Sequence, residues 1–301
     1  MSLPKLEILM NGLKKFPRSV SLITYGYNEE LLVQEFLENA LKMLSEIAIK
    51  FEIVFVDDGS TDKTNEIVKR FSELHPEVRL FTNRVNKGTG FSFKKAVKEV
   101  KNDFIFWQMV DWCYDIKNIR TFLELTNYYD IVVGIRPSPV RLISHIPVIK
   151  SVFRVKSRAD NFWRAIVSLG NYYVIKLLFG ANFHDFQNVH IYPRDILQSM
   201  DLSGESSFLS PEALMRSLAS GRTFIEVPIG FFPRKLGEAK GFSIKNVSMT
   251  VRDILRVWFS WGWRFRLTTL TKKNSIQRVS EPFKLDEEPL RLIAPLLREY
   301  R

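Results

Sequence analysis

The stretch FEIVFVDDGSTD, Phe51 to Asp62, limits what this chain can fold into more than any other. Phe51 and the run Ile53–Val56 form a short apolar block of strand length. Two adjacent carboxylates follow, Asp57 and Asp58, then Gly59, Ser60 and Thr61. The pattern predicts a buried strand that delivers both carboxylates into a turn. Gly59 relaxes that turn, and Ser60 or Thr61 caps a helix starting near Asp62. Ligands of open α/β sheets bind outside the carboxyl ends of the strands, where this pair would sit. On the run alone, the two aspartates read equally well as turn and capping residues.

The surrounding sequence decides between those readings. Strand and helix periods alternate through the first 135 residues. Strands are expected at Ser19–Tyr25, Phe51–Val56, Val78–Phe81, Asp103–Val110 and Ile131–Ile135. Helices are expected after Asn28, over Asp62–Leu74, Phe91–Val100 and Asn118–Thr126. Such alternation implies right-handed βαβ units and a mainly parallel sheet. Three strand ends then carry polar groups on one edge: Tyr27-Asn28-Glu29, Asp57-Asp58 and Asp111. Further on, Phe183–Tyr192 and Thr223–Val227 read as strands, and helices follow Pro193 and Pro211.

Charge narrows the partners. The 301 residues carry 44 basic and 33 acidic side chains, a net charge of +11. The excess is local: residues 134–164 hold seven Lys or Arg against Asp160 alone, and residues 245–278 hold eight against Asp253 alone. One or two surfaces facing anions follow from this clustering. No nucleic-acid motif accompanies it, so nucleic acid is not expected as a partner. The single cysteine, Cys113, excludes an internal disulfide and a multi-cysteine zinc site. No apolar run reaches membrane-spanning length, and the N-terminal residues lack a signal-peptide core.

Residues 249–266 have helical period. Val251, Ile254, Leu255, Trp258 and Phe265 are expected on one side, with Arg252, Asp253, Arg256, Ser260 and Arg264 on the other. Three tryptophans in six residues beside arginines suit a membrane interface, and a helix packed on its own domain fits equally. A division into a catalytic domain, 1–245, and an amphipathic basic tail, 246–301, is the expected organisation.

Taken in order, these motifs resemble the inverting family 2 glycosyltransferases of GT-A fold. Within them they are most similar to polyprenyl-phosphate sugar transferases of the dolichyl-phosphate mannose synthase type. The resemblance covers about residues 19–241. It is carried by Tyr27-Asn28-Glu29-Glu30, Val56–Asp62, Asn86-Lys87-Gly88, Asp111, Gly134-Ile135-Arg136, Asp185-Phe186-Gln187, Glu226-Val227-Pro228, and Arg234 with Gly237–Lys240. The resemblance implies a sugar moved from a GDP- or UDP-linked donor to a membrane-borne acceptor such as polyprenyl phosphate, at the cytoplasmic membrane face in cell-envelope biosynthesis. Tyr25, Tyr27, Glu29, Asp57, Asp58, Gly59, Lys87, Gln187 and Lys240 are the implied donor-binding residues.

Asp58 would accept a base N–H, Glu29 the ribose hydroxyls, and Asp57 would hold the turn or ribose. Asp111 is the implied ligand of a divalent Mg²⁺ or Mn²⁺ ion at the diphosphate. Arg234 and Lys240 would close on the leaving phosphates, and Arg136 would hold an acceptor phosphate. A phosphate nucleophile needs no general base. A sugar hydroxyl would need one, and Glu212 is the analogous carboxylate.

The chain departs from the family's pattern at three places. Cys113 stands where the second Asp of Asp-x-Asp is usual, so three outcomes stay open: a weaker metal site, one that draws on Asp115 or Gln108, or none. Val189-His190 replaces Gly-Phe, and Tyr25 replaces proline. Two other readings stay open: transfer to a growing polysaccharide or glycolipid, and a non-catalytic nucleotide-sugar-binding or scaffold protein.

Overall fold

The computed structural model describes residues 15–135, 162–232, 244–271, 276–278 and 287–299. The run that opened the sequence analysis is strand β2, Phe51–Asp57, near one end of the main sheet. Its period-2 alternation sorts it between two cores. Ile53 and Phe55 point into one hydrophobic layer, and Val54 and Val56 into the other. All four are fully buried, worth roughly 1.5–3 kcal/mol each for a large aliphatic or aromatic side chain. Burial on both faces is why this strand reads as a continuous apolar block rather than an alternating one.

On either side of β2 run β1, Val20–Gly26, and β3, Val78–Thr82, both parallel to it. The register aligns Gly26 with Asp57 and Asp57 with Thr82, so three strand ends finish level. Strand β4, Phe104–Trp107, lies parallel on the other flank of β1. Helices α1, Val33–Ile47, and α2, Thr64–Leu74, cover the first face; α3, Thr89–Glu99, covers the second. Helix α4, Ile119–Leu125, precedes β6, Ile131–Ile135, and a two-residue β5, Tyr114–Asp115, lies between β4 and α4.

The second half completes the sheet. Helix α5, Phe162–Phe179, leads to β7, His190–Pro193, which enters antiparallel between β4 and β6. The strand expected over Phe183–Tyr192 is thus mostly loop. Phe183, Phe186 and Val189 are apolar because they plug the cores, not because they extend the sheet. Helices α6, Arg194–Gln198, and α7, Leu209–Ala219, start near the two prolines, and Gly221 with φ of 76° ends the second. Strand β8, Phe224–Pro228, pairs parallel with β6, and β9, Gly230–Phe231, forms a small ribbon with β5.

The C-terminal region is woven into this body. Helix α8, Ile244–Val257, continues through a π-helical turn, Trp258–Gly262, into α9, Trp263–Thr271. Strand β10, Ile276–Arg278, then pairs parallel with β8, giving a sheet ordered β10-β8-β6-β7-β4-β1-β2-β3. Helix α10, Glu287–Glu299, buries Ile293 in the first core, and Tyr128 donates to Glu288 at 3.4 Å. Residues beyond the expected 245/246 boundary thus include an edge strand and core side chains. No described helix is long and apolar enough to cross a membrane.

Two local expectations change. Asn28 does not cap α1, which begins only at Val33; it sits instead at φ of 55°, a left-handed conformation asparagine tolerates. On α8, Val251 and Leu255 are exposed while Asp253 is fully buried with Ile254 and Val257, so the helix is rotated from the expected division of faces.

Candidate active site

The β1 and β2 ends are knitted to one another by hydrogen bonds. Asn28 Oδ1 accepts the Thr61 N–H at 2.8 Å, and the Asn28 N–H donates to Ser60 Oγ at 2.9 Å. The Glu29 N–H donates to Thr64 Oγ1 at 2.7 Å, the Glu30 N–H to Asp62 Oδ2 at 3.2 Å, and the Lys63 N–H to Glu30 Oε2 at 3.0 Å. Ser60 and Thr61 thus face the neighbouring turn rather than capping α2. Glu29 and Tyr27 stand half-buried in that turn. Two long-range loops locked in this way form a stiff floor at the strand ends.

The two aspartates hold different partners. Asp57 accepts the Ser60 N–H at 3.0 Å and Asn65 Nδ2 at 2.7 Å, which fixes the turn. Asp58 reaches the β3–α3 loop: Oδ1 accepts from Asn83 Nδ2 at 2.8 Å and the Lys87 N–H at 3.0 Å, and Oδ2 accepts the Gly88 N–H at 2.8 Å. Gly59 closes the arrangement. Its φ is 74°, and a Cβ there would lie 2.5 Å from the Val85 carbonyl carbon, so no larger residue fits. The Lys87 ammonium lies 4.2 Å over the Phe91 ring.

The β4 end is built differently. Gln108, fully buried, clasps the loop 108–114: Nε2 donates to the Tyr114 carbonyl at 2.7 Å, and Oε1 accepts the Met109 and Tyr114 N–H groups at 3.1 and 3.4 Å. Inside the loop Trp112 has φ of 52°, a conformation that costs a bulky residue about 1–3 kcal/mol. Its ring is held edge-on to Phe36 at 5.5 Å. The strained turn sets Asp111 in a cavity of about 270 Å³ with Glu35, Asn39, Trp112 and Phe232.

These residues bear on the divalent ion in a specific way. Among the described residues no three His, Cys, Asp or Glu groups gather to hold a metal. Cys113 is buried, its carbonyl accepting the Phe232 N–H at 2.8 Å. Gln108 Oε1 is engaged by backbone. Asp115 lies 3.6 Å from Lys117 Nζ, and a Cβ on Gly230 would lie 2.8 Å from its own Cβ. The residues present offer one hard carboxylate at the cavity, Asp111, a donor a Mg²⁺ ion would accept if phosphates and water completed its shell.

A second cavity, about 300 Å³, opens between the β1, β4 and β7 ends and the start of α7. Tyr25 and Gln187 line it with Trp107, Asn188, Ser206 and Ser210. Burial, and after it the nearby Cys113, raises the Tyr25 hydroxyl pKa, keeping it protonated and able to donate. Asn188 Nδ2 is buried at this wall and has no hydrogen-bond partner among the described residues. Next to this wall, His190 packs at 5.0 Å on Trp107; burial lowers its pKa to about 3, so the ring is neutral near pH 7. Trp107, Ser206 and Ser210 escaped sequence reasoning because they come from separate segments and belong to no local motif, whereas Asn188 directly follows Asp185-Phe186-Gln187, the signal that could have found it. A further cavity, about 570 Å³, lies at the opposite sheet edge around Arg18, Asp130 and Arg194, away from the strand carboxyl ends where ligands bind.

Glu212 lies outside both cavities. It is fully buried on α7 and accepts from Ser203 Oγ at 3.0 Å, the Gly204 N–H at 2.8 Å and Arg216 Nε at 2.9 Å. Its oxygens brace the loop before α7, which leaves them poorly placed to take a proton from an acceptor. Glu226, also fully buried, holds His184 through Nδ1 at 2.7 Å and its N–H at 2.6 Å. Arg136, Arg234 and Lys240 lie outside the described residues.

Comparison with known proteins adds to this geometry. The pattern of the family described as "Glycosyl transferase family 2" matches residues 21–186. The chain is 23% identical over 256 residues to Glycosyltransferase AglD of Haloferax volcanii, covering 83% of this chain and 38% of that one. It is 31% identical over 134 residues to the dolichyl-phosphate beta-glucosyltransferase ALG5A of Trichomonas vaginalis, covering 40% and 41%. The chain thus spans about two fifths of the length of these two relatives. Its fold is similar to that of glucosyl-3-phosphoglycerate synthase from Mycobacterium tuberculosis solved with Mn²⁺ and UDP-glucose, with a TM-score of 0.53 at 12% identity over 87% of this chain and 83% of the other.

Proposed function

The chain belongs to glycosyl transferase family 2, and from that premise we propose that it moves a sugar from a nucleotide-diphosphate donor to a lipid-phosphate acceptor. The observation that carries this reading is the single sheet edge where the Tyr27–Glu29 turn, Asp57-Asp58 and Asp111 meet beside two cavities. The similarity to a dolichyl-phosphate glucosyltransferase supports the acceptor class, and the solved relative's UDP-glucose supports the donor class.

In this reading the β1–β2 floor receives the nucleoside. Asp58 keeps acceptor capacity after its three hydrogen bonds, because an ionised carboxylate offers about four lone-pair sites. Glu29 takes ribose hydroxyls. Tyr25, Gln187 and the Asn188 amide face the sugar-side cavity. Asp111 would hold the divalent ion, which when bound neutralises diphosphate charge. Arg234 and Lys240 are given the leaving diphosphate, and Arg136 the acceptor phosphate, by motif order alone. The bond from the anomeric carbon to the diphosphate oxygen breaks as one forms to an acceptor phosphate oxygen, with inversion. That phosphate is already ionised near neutral pH, so no base is required, which agrees with Glu212 being committed to Ser203, Gly204 and Arg216. Transfer to a glycan hydroxyl would need a base that Glu212 is poorly placed to be.

The test is turnover of UDP- and GDP-sugars by the full chain, with and without Mn²⁺, offered polyprenyl phosphate or an oligosaccharide. Transfer to the lipid phosphate is expected. Transfer to the oligosaccharide alone would sink the acceptor assignment, and binding without turnover would favour a scaffold.

A further inference from the structure

The α8–π–α9 rod has two working sides. On its inner side Ile254, Val257 and Phe265 are buried, and a Cβ on Gly262 would lie 2.3 Å from the Phe179 ring. On its outer side Val251, Leu255, Phe259, Trp263 and Leu267 are all exposed, Phe259 by 74% and Leu267 by 57%. These five recur at every fourth residue. On a plain α-helix such a series would creep around the axis by about 40° per step. The π turn at Trp258–Gly262 holds more residues per turn and works against that creep, keeping the series on one side as a ridge.

Charge says what the ridge faces. Arg252, Arg256 and Arg264 flank it, all exposed, and the Arg264 guanidinium lies 5.1 Å over the Trp263 ring. The one acid on the rod, Asp253, is fully buried on the inner side, so among the described residues the exposed charges of the rod itself are all cationic, with Arg252 and Arg256 bordering the half-exposed Glu205 at 2.9 and 4.0 Å. An aromatic-aliphatic ridge rimmed by arginines matches an anionic bilayer surface: the rings and alkyl groups enter the headgroup boundary and the guanidinium groups stay with lipid phosphates.

The rod is also bolted to the site. Asp253 Oδ2 accepts the N–H groups of Glu205 and Ser206, each at 2.8 Å, and Arg252 pairs with Glu205 at 2.9 Å. The Glu205 carbonyl accepts the Gly90 N–H at 3.2 Å, and a Cβ on Gly90 would lie 2.3 Å from the Glu205 carbonyl carbon. Thr89, Gly90, Ser206 and Ser207 all line the cavity of Tyr25 and Gln187. We propose that the ridge from Val251 to Leu267 is the surface by which this protein docks on an anionic lipid bilayer, holding that cavity at a fixed attitude to the membrane. The purpose of such docking rests on the lipid-acceptor reading; the docking itself does not.

The experiment is sedimentation of the full chain with vesicles that contain no acceptor and no donor: phosphatidylcholine alone, or with one third phosphatidylglycerol. Partition should be at least ~10-fold stronger with the anionic lipid. Phe259→Glu and Leu255→Glu should each weaken it by ~10-fold or more, with an unchanged melting temperature because both side chains are exposed. Wild-type partition in both variants would overturn the proposal. So would a vesicle-free dimer that either variant converts to monomer, since the ridge would then join two copies. A failed turnover assay would leave this result standing, and a failed partition would leave the transferase reading standing.

Discussion

The β2 end and the β4 end lie two strands apart on one sheet edge, and both deliver aspartates into turns, yet they are built on opposite plans. At β2 the carboxylates are absorbed by structure. Asp57 and Asp58 accept five hydrogen bonds between them, and the positive φ within the turn that follows them falls on a glycine, Gly59. At β4 the strain falls on a tryptophan, a buried glutamine must clasp the loop, and the carboxylate lines a cavity. Strain of this sort persists only where surrounding contacts enforce it, and it collects at functional sites. One end is tied down by hydrogen bonds; the other carries its carboxylate on a strained loop beside a cavity.

Four measurements can break or sharpen that contrast. Asp111→Asn should reduce sugar transfer by roughly 10²–10³-fold while the unfolding midpoint barely moves, the pattern of lost charge stabilisation at a reacting site. A large stability loss with normal turnover would put Asp111 in the floor. Asp58→Ala should show in urea denaturation as well as in weaker donor binding, costing about 2–4 kcal/mol because Asn83 Nδ2 and the Lys87 and Gly88 N–H groups lose their acceptor. A loss under ~1 kcal/mol would show that the 83–88 loop is held by something else.

The third measurement is pH dependence of stability. His190 is depressed in the folded state to about 3, so below its ordinary value of 6.5 the unfolded chain binds the proton that the folded chain refuses. Its contribution is therefore neutral above pH 6.5 and increasingly destabilising as pH falls from 6.5 towards 3, at up to ~1.4 kcal/mol per unit. His190→Phe should flatten that part of the curve; an unchanged slope would assign it to other groups. The smallest effect is expected from Asn28→Ala, about 1–2 kcal/mol in the same denaturation assay. That substitution removes the acceptor of the Thr61 N–H and puts a Cβ-only residue at positive φ. Asn28→Gly should cost less, since glycine recovers the backbone term.

Much of this was legible in the sequence for a physical reason. Apolar period reports burial, so the run Ile53–Val56, the order of the βαβ units and Gly59's turn could be read directly. The antiparallel β7 could not, because Phe183 to Val189 is apolar for packing and a loop that fills a core has the composition of a strand. Asn28 had cap chemistry, but its partner Thr61 lies 33 residues away. The helical period of residues 249–266 was visible, whereas its rotation was not. Asp253 reads as a surface charge until the backbone of Glu205 and Ser206 is brought against it.

The sequence by itself determined the alternating architecture, the carboxylates at successive strand ends and the family's order of motifs, since each depends on residues close together in the chain. The tertiary structure decided which backbone and side-chain groups the carboxylates hold, through loops that return from Asn83–Gly88 and Ser203–Gly204. It also made residues after 245 part of the sheet and turned the rod so that Phe259 and Trp263 face outward. Those outcomes depend on which distant groups compete for the same oxygen or the same buried face, and local sequence carries no record of that competition.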